Sequence, residues 1–328
     1  MNPFIQLKTT RAFVCLVLLI VIPVLSEGAD SDVFKGVCSK YRWYPADADT
    51  LSTMVDGFMS QADSRKTAGG IFGLISPHAG YAYSGPVAGV AYRSVKGKSY
   101  ERAVIIGPFH GLFNKGLRRE EYVPVSVLDM DAFETPLGAV RIDRKAARRL
   151  IDAHPKIRAS TGMFYEHSVE SQIPFVQRAL PGVPILPIVM GQADLETARW
   201  LAPVLKTHLS DVKTLFIASS DLSHFHSYKE CNRRDAVTLD LVKALDLEGI
   251  DTKVDGSDMC GRGAVLTLLE LFKNTGGGDI QVLDHKNSGD TSGDKSRVVG
   301  YAAVALSRKA PQDRKEIPAP EKGSRKKQ

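Results

Sequence analysis

Cysteine is scarce in this sequence, and no two cysteines are close enough together to form a CxxC pair. Only Cys15, Cys38, Cys231 and Cys260 occur among 328 residues. A structural zinc ribbon needs closely spaced cysteine pairs, so this pattern argues against one.

A concentrated basic patch is also missing. The formal net charge is +6, but residues 309–328 alone contribute +4, with seven basic and three acidic side chains. The body of the chain is therefore nearly balanced in charge. Nucleic-acid binding needs Lys and Arg clustered on one face, so we expect no nucleic-acid partner. The segment 309–328 is charged and rich in proline, and we expect a disordered tail there.

Long apolar runs are absent except at the N-terminus. Two basic residues precede the apolar run 12–25, and the small residues of "SEGAD" follow it, which is the pattern of an export signal. The run is roughly 14 residues, whereas a spanning helix needs about 20. We predict a signal peptide at 1–28 and a periplasmic or extracellular protein; an uncleaved membrane anchor is the alternative. Loss of Cys15 would leave an odd number of cysteines, so at least one thiol would stay outside an intramolecular disulfide.

Short apolar runs alternate with amphipathic segments over the rest of the chain. The apolar runs predict strands at 70–78, 101–110, 184–191, 214–224, 279–287 and 296–308. The amphipathic segments predict helices at 48–61, 84–95, 143–154, 167–181, 194–209, 228–246 and 261–275. This alternation predicts an α/β fold, a single-domain α/β/α sandwich over 29–308 with a mostly parallel central sheet covered by helices.

Three of the predicted strands end in polar side chains. The first strand ends in His78, the second ends in His110, and the strand that begins at residue 214 ends in a segment that holds Asp221 and His224. Ligands of α/β sheets bind beyond the carboxyl ends of the strands. A single histidine there is more often a hydrogen-bonded structural residue, but three at equivalent strand ends indicate a site.

Two further segments carry reactive side chains at predicted helix starts. "YEHSVESQ" holds His167 and Glu170, and "DMCGRGAV" holds Cys260. Each segment also has a purely structural interpretation. The polar residues of the first are typical of the first turn of a helix, and the cysteine of the second is a small residue that suits a tight turn. We expect the helix N-terminus and Arg262 to lower the pKa of the Cys260 thiol.

Two neutral imidazoles with one anionic ligand form an open metal site, as in non-haem Fe(II) oxygenases. From the residues alone, the third ligand is Asp221, Glu170 or Cys260. A thiolate ligand favours iron or copper over magnesium.

Six ordered motifs carry a resemblance to a known family. The sequence "SPHAGYAYSG", "IIGPFH", "EHSVESQIPF", "SSDLSHF", "MCGRGAV" and "GYAAVAL" resembles the Memo family, whose bacterial and archaeal members are called AmmeMemoRadiSam system protein B. The early "RWYPADADTL" is similar to that family's N-terminal motif, so the resemblance covers roughly residues 38–306.

The resemblance implies a fold shared with class III extradiol dioxygenases, which use non-haem iron. It implies a metal pocket of His78, His110 and Cys260, the cysteine standing where the dioxygenases have a carboxylate. Asp221, His224, His167 and Glu170 match polar positions around that pocket. It further implies binding of iron or copper and a functional link to AMMECR1-like and radical-SAM proteins. An export signal departs from the cytosolic family members, and Phe109 departs from the small polar residue that many members have there.

Three functions remain open at this stage. The first is a metal-binding or partner-binding pocket without turnover, holding an ion and a peptide or small organic ligand. The second is a dioxygenase-like oxidoreductase acting on a small aromatic or other organic substrate, with His224 or His167 moving protons and Asp221 and Glu170 orienting imidazoles. The third is a metal-assisted hydrolase. Iron (Fe2+) is the expected cofactor, ahead of copper and then zinc, and the sequence does not fix the oligomeric state.

Overall fold

The computed structural model describes residues 32–62, 70–113, 116–117 and 122–308. The predicted signal peptide at 1–28 and the predicted tail at 309–328 lie outside the described residues. Within those described ranges, no helix combines the length and the apolar character needed to cross a bilayer. Cys38, Cys231 and Cys260 are all free thiols.

Strands and helices alternate along the chain as the sequence pattern predicts. The strands are β1 (Val33–Lys35), β2 (Gly70–Ser76), β3 (Arg102–Pro108), β4 (Val125–Val127), β5 (Ala132–Thr135), β6 (Gly138–Arg141), β7 (Ile157–Arg158), β8 (Ile185–Met190), β9 (Thr214–Ser219), β10 (His224–His226), β11 (Asp279–Asn287) and β12 (Val298–Arg308). The helices are α1 (Ala48–Gln61), α2 (Tyr81–Arg93), α3 (Arg144–Ala153), α4 (His167–Glu170), α5 (Ile173–Ala179), α6 (Leu195–Leu209), α7 (Tyr228–Lys243), α8 (Leu247–Lys253), α9 (Arg262–Asn274) and α10 (Ser288–Ser292).

A large mixed sheet forms the centre of the fold. Its strand order is β10-β12-β2-β9-β3-β8-β4-β7, and β11 pairs with β12. The four inner strands β2, β9, β3 and β8 are parallel. Strand β12 runs antiparallel to β2, and β4 runs antiparallel to β8. A separate small sheet joins β1, β5 and β6.

Alternate residues of the inner strands enter two different cores. In β3, Ile105 belongs to one core with Leu51 of α1, and Val104 belongs to the other with Leu268 of α9. Both faces of these strands are therefore buried under helices, which is why they read as continuous apolar runs. The α/β/α sandwich expected from the sequence is confirmed.

Two predicted elements are divided in the structure. The strand predicted to run from 214 to 224 ends at Ser219, and His224 starts β10, which pairs antiparallel with β12. The helix predicted at 167–181 becomes α4 and α5. Pro174 lies in the first turn of α5, where its missing N–H does no harm, and it favours a new helix start there.

Candidate metal centre

Two strand ends and one helix start converge at one edge of the sheet. His78 follows β2, His110 follows β3, and Cys260 precedes α9. One ligand atom from each of these residues lies within 4.8 Å of the others, and the Cys260 Sγ is 3.2 Å from the His78 Nε2. His78 is buried, Cys260 is half-buried and His110 is exposed, so the cluster opens to solvent on the His110 side.

A glycine allows the cysteine to approach β9. A Cβ on Gly261 would lie 2.2 Å from the carbonyl oxygen of Ser219 and 2.5 Å from the Cβ of Ser220. No larger residue fits at that distance without a backbone shift. The Gly261 N–H also donates to the Ser220 Oγ at 2.9 Å, which fixes the turn that carries Cys260.

The hydrogen bonds of Ser219 set the tautomer of His78. The Ser219 hydroxyl donates to the carbonyl oxygen of Ser168 at 2.5 Å and accepts from the Gln172 Nε2 at 2.9 Å. Its single proton is thus used, and its remaining lone pair accepts from the His78 Nδ1 at 2.9 Å. The His78 Nε2 therefore presents its lone pair to Cys260. Burial and the neighbouring His167 and His110 hold the pKa of His78 well below its usual value, so the ring is neutral.

Glu166 holds His110 in the same way. Its carboxylate accepts from the His110 Nδ1 at 3.0 Å and from the backbone N–H groups of His110 and Gly111 at 2.6 and 3.2 Å. It also caps α4 by accepting from the N–H groups of His167 and Ser168. Burial alone would raise the pKa of Glu166, but the bonds from His110 and His167 hold it well below the usual range. The ionised carboxylate only accepts, so the His110 Nδ1 carries the proton and its Nε2 is free for a ligand.

His167 stands beside the cluster without belonging to it. Its ring stacks on His110 with centroids 4.6 Å apart, and it meets His78 edge-on at 5.2 Å. Its Nδ1 lies 2.8 Å from Glu166 Oε1. His167 is buried and is held against the candidate ligands, where a proton carrier would be useful.

The thiol of Cys260 does not have the electrostatic surroundings expected from the sequence. Burial raises the pKa of Cys260, and the neighbouring Asp221 raises it further. Arg262 does not offset this, because its guanidinium donates to the carbonyl oxygens of Ala193 and Val254 at 3.1 and 2.7 Å. The expected lowering by the helix start and Arg262 is wrong; a bound cation would be needed to stabilise the thiolate.

Asp221 lies on the loop beyond β9, and His224 begins β10. Asp221 accepts from the backbone N–H groups of His78 and Ala79 at 2.8 and 3.2 Å, so it fixes the backbone that carries His78 rather than an imidazole ring. Burial raises the pKa of Asp221, and His224 opposes that rise. The backbone N–H of His224 donates to the carbonyl oxygen of Ser257, and the buried Nδ1 of its ring has no hydrogen-bond partner among the described residues.

Glu170 binds the N-terminal part of the described chain and not the imidazoles. Its buried carboxylate accepts from the N–H groups of Val37 and Cys38 at 2.7 and 2.8 Å and from the Tyr44 hydroxyl at 2.5 Å. It therefore attaches the N-terminal arm, residues 37–44, to the body of the protein. These bonds lie away from the imidazoles that Glu170 was expected to orient.

Tyr41 and Trp43 of the N-terminal arm form an aromatic wall beside the pocket together with Phe113, which lies in the segment after β3. Tyr41 and Phe113 stack with ring centroids 4.2 Å apart. Trp43 packs on His167 at 4.4 Å, and its indole N–H donates to the carbonyl oxygen of His78 at 2.7 Å. An organic ligand at the exposed side of the cluster would meet flat apolar surfaces.

Sequence reasoning missed Ser219 and Glu166, the two residues that orient the candidate ligands. Glu166 forms a group of possible metal ligands with His110 and His167, and it directly precedes His167 in the "EHSVES" motif. Ser219 opens the "SSDLSH" motif at the end of β9. Both lie beside residues that were singled out, but only the folded chain brings them to the rings.

The comparisons with known proteins point to one family. A family model described as "Memo-like protein" matches residues 41–305. A MEMO1 family protein of Pyrobaculum aerophilum is 36% identical over 250 residues, which cover 74% of this chain and 86% of the relative. MEMO1 family proteins of Desulfurococcus amylolyticus and Pyrobaculum arsenaticum are 38% and 33% identical, covering 71% and 81% of this chain and 81% and 96% of those relatives.

Proposed function

The chain belongs to the family of Memo-like proteins, and on that premise we propose that His78, His110 and Cys260 together bind one transition-metal ion. One observation carries the proposal: two imidazoles are fixed by Ser219 and Glu166 so that each has its Nε2 free for the cluster that contains the Cys260 sulfur. Such orienting partners are a regular feature of protein metal sites.

The donor set suits a transition-metal ion in its chemistry and is close to one in its distances. Two ligand atoms on one tetrahedral ion are roughly 3.3–3.7 Å apart at usual bond lengths, and the Cys260 Sγ and His78 Nε2 are 3.2 Å apart. Two neutral imidazoles and one thiolate suit iron, copper or zinc and not magnesium or calcium. We favour iron(II), because of the relation to non-haem iron dioxygenases, with copper next and zinc third. A bound iron or copper ion would supply redox chemistry and a Lewis acid at the exposed side of the cluster.

Metal content in matched cysteine variants tests the proposal. Protein purified without oxygen should contain about one transition-metal ion per chain, as the donor set predicts, and Cys260→Ser should lose most of it. Cys231→Ser is the control, because Cys231 is also a buried free thiol but donates to Asp235 instead of lining the pocket. Equal metal content in the two variants would contradict the proposal.

A second function, oxidative conversion of a small aromatic compound, is favoured by the surroundings of the cluster. The aromatic wall of Tyr41, Trp43 and Phe113 suits a flat ring, and His167 lies within a stacking distance of His110. In that function His167 would accept a proton from a substrate hydroxyl, and the buried Glu166 would stabilise the resulting imidazolium.

Oxygen uptake separates this second function from metal binding alone. Iron-loaded protein should consume O₂ with at least one member of a catechol panel, and His167→Asn should lower the rate while retaining the iron. If the iron-loaded protein consumes no O₂ with any catechol, the oxidative function is wrong and the metal-binding proposal is unaffected.

A further inference from the structure

A second cavity lies at the opposite edge of the sheet, where β2 and β9 begin and α6 and α9 end. Its volume is about 280 Å³, and its walls include the apolar side chains of Phe72, Leu205, Phe216 and Leu271. Residue 70 lines this cavity and His78 follows the same strand, so about 26 Å of extended chain separates the cavity from the candidate metal centre.

The rim of this cavity is cationic. Lys206, Lys213 and Arg308 line it, and none of its lining residues among the described ones carries a carboxylate. Lys213 and Arg308 lie over aromatic rings, with the Lys213 Nζ 5.1 Å from the Tyr100 ring centroid and the Arg308 guanidinium 4.8 Å from that of Phe72. The aliphatic parts of these two side chains thus extend the apolar wall of the cavity, while their charged groups lie at its opening.

Nearby acids do not neutralise these charges. Asp211 is engaged by the guanidinium groups of Arg102 and Arg149 at 3.0 and 2.8 Å. Glu101 accepts the backbone N–H of Lys213 at 3.2 Å. Within the described part of the chain, none of the three rim cations forms a salt bridge, so the mouth presents positive charge above an apolar floor.

We propose that this cavity binds a free amphipathic monoanion, a medium-chain carboxylate, with its tail between α6 and α9 and its head group at the rim cations. The cavity has room for the equivalent of about nine water molecules, which suits a tail of roughly eight to ten carbons. Small-ligand sites have this form, an apolar pocket with a few placed polar groups. The proposal does not depend on the metal centre.

Calorimetric titration of the full chain with decanoate, below its micelle concentration, tests the proposal. Decanoate should bind saturably at one site. Acetate, which has the charge without the tail, and decyltrimethylammonium, which has the tail with the opposite charge, should bind far more weakly. Absence of saturable decanoate binding, equal binding of the cationic amphiphile, or binding only to anionic phosphatidylglycerol vesicles would overturn it.

Charge variants locate the binding. Lys213→Met and Arg308→Met should each weaken decanoate about two- to five-fold, the usual range for a partly exposed ion pair. Lys253→Met removes the same charge from an exposed position on α8 and should leave the affinity unchanged. Val212→Trp, at the half-buried rim, should block the cavity. Unchanged affinity in the double variant of Lys213 and Arg308 would contradict the proposal, and metal content should be the same in every variant.

Discussion

Replacing Glu166 by glutamine removes the charge that holds two imidazoles and caps α4. One carboxylate oxygen, Oε2, accepts the N–H groups of His110 and Gly111, and Oε1 accepts the remaining donors. A glutamine has only one acceptor oxygen. If that oxygen takes the place of Oε1, the NH₂ group takes the place of Oε2, and the N–H groups of His110 and Gly111 lose their acceptor. Each buried donor left without a partner costs about 1–3 kcal/mol. We expect Glu166→Gln to lower the free energy of unfolding by about 2–6 kcal/mol.

The same substitution should weaken metal binding, because His110 loses the partner that fixes its tautomer. Loss of such an orienting group typically costs about 10- to 100-fold in metal affinity. Competition with a chromophoric chelator measures the affinity, and denaturant unfolding of the metal-free protein measures stability. Glu170→Gln is the matched control, a buried carboxylate on the same short helix that binds Val37, Cys38 and Tyr44 instead.

The two variants should separate stability from metal affinity. Glu170→Gln leaves the Val37 N–H facing an NH₂ group, which costs about 1–3 kcal/mol, but its metal affinity should match that of the wild type. If both variants bind metal equally well, Glu166 does not orient His110 and the tautomer argument is refuted.

Three further predictions concern the supports of the site. Ser219→Ala removes the hydroxyl that accepts from the His78 Nδ1, so metal affinity should fall about 10-fold or more in the chelator assay, whereas an unchanged affinity would mean that the ring is held by packing. Gly261→Ala places a Cβ 2.2 Å from the Ser219 carbonyl oxygen and should lower the free energy of unfolding by about 1–3 kcal/mol; Gly256→Ala, with open space around the new Cβ, should be neutral. Burial raises the pKa of Glu170, so its contribution to stability is complete below its unfolded-state pKa of about 4.3 and is lost as the pH rises through the higher folded value. The stability of the wild type relative to Glu170→Gln should therefore decrease as the pH rises above about 4, and a difference independent of pH would contradict this.

Much of the fold follows from local patterns. The inner strands have apolar residues on both faces, and helices such as α3 and α6 begin with an aspartate cap, Asp143 or Asp194, whose side chain accepts a backbone N–H. The helix predicted from residue 84 starts earlier, at Tyr81, because the Tyr81 N–H is satisfied by the Trp43 carbonyl oxygen of the distant arm. His224, the last residue of the strand predicted at 214–224, instead begins a separate strand, β10, because it pairs with the distant strand β12.

The candidate ligands could be predicted because each follows a recognisable strand end or precedes a helix. The supporting residues could not be predicted from spacing, since Ser219 and His78 are 141 positions apart, and Glu170 and Val37 are 133 apart. Two carboxylates only four residues apart, Glu166 at the start of α4 and Glu170 at its end, bind different parts of the protein, the first the imidazoles and the second the N-terminal arm. The pKa of Cys260 also depends on burial, which a helix-start pattern does not reveal.

The attachment of residues 37–44 by Glu170 has a practical consequence for work on this protein. Glu170 helps to hold Tyr41 and Trp43 at the pocket by accepting the backbone N–H groups of Val37 and Cys38, and the Trp43 indole adds its own bond to the His78 carbonyl oxygen. A shortened version that begins after residue 44 would retain the three candidate ligands but lose two of the three rings of the aromatic wall, leaving Phe113 alone. Truncation, fusion and tagging should therefore leave Val37 and everything after it intact.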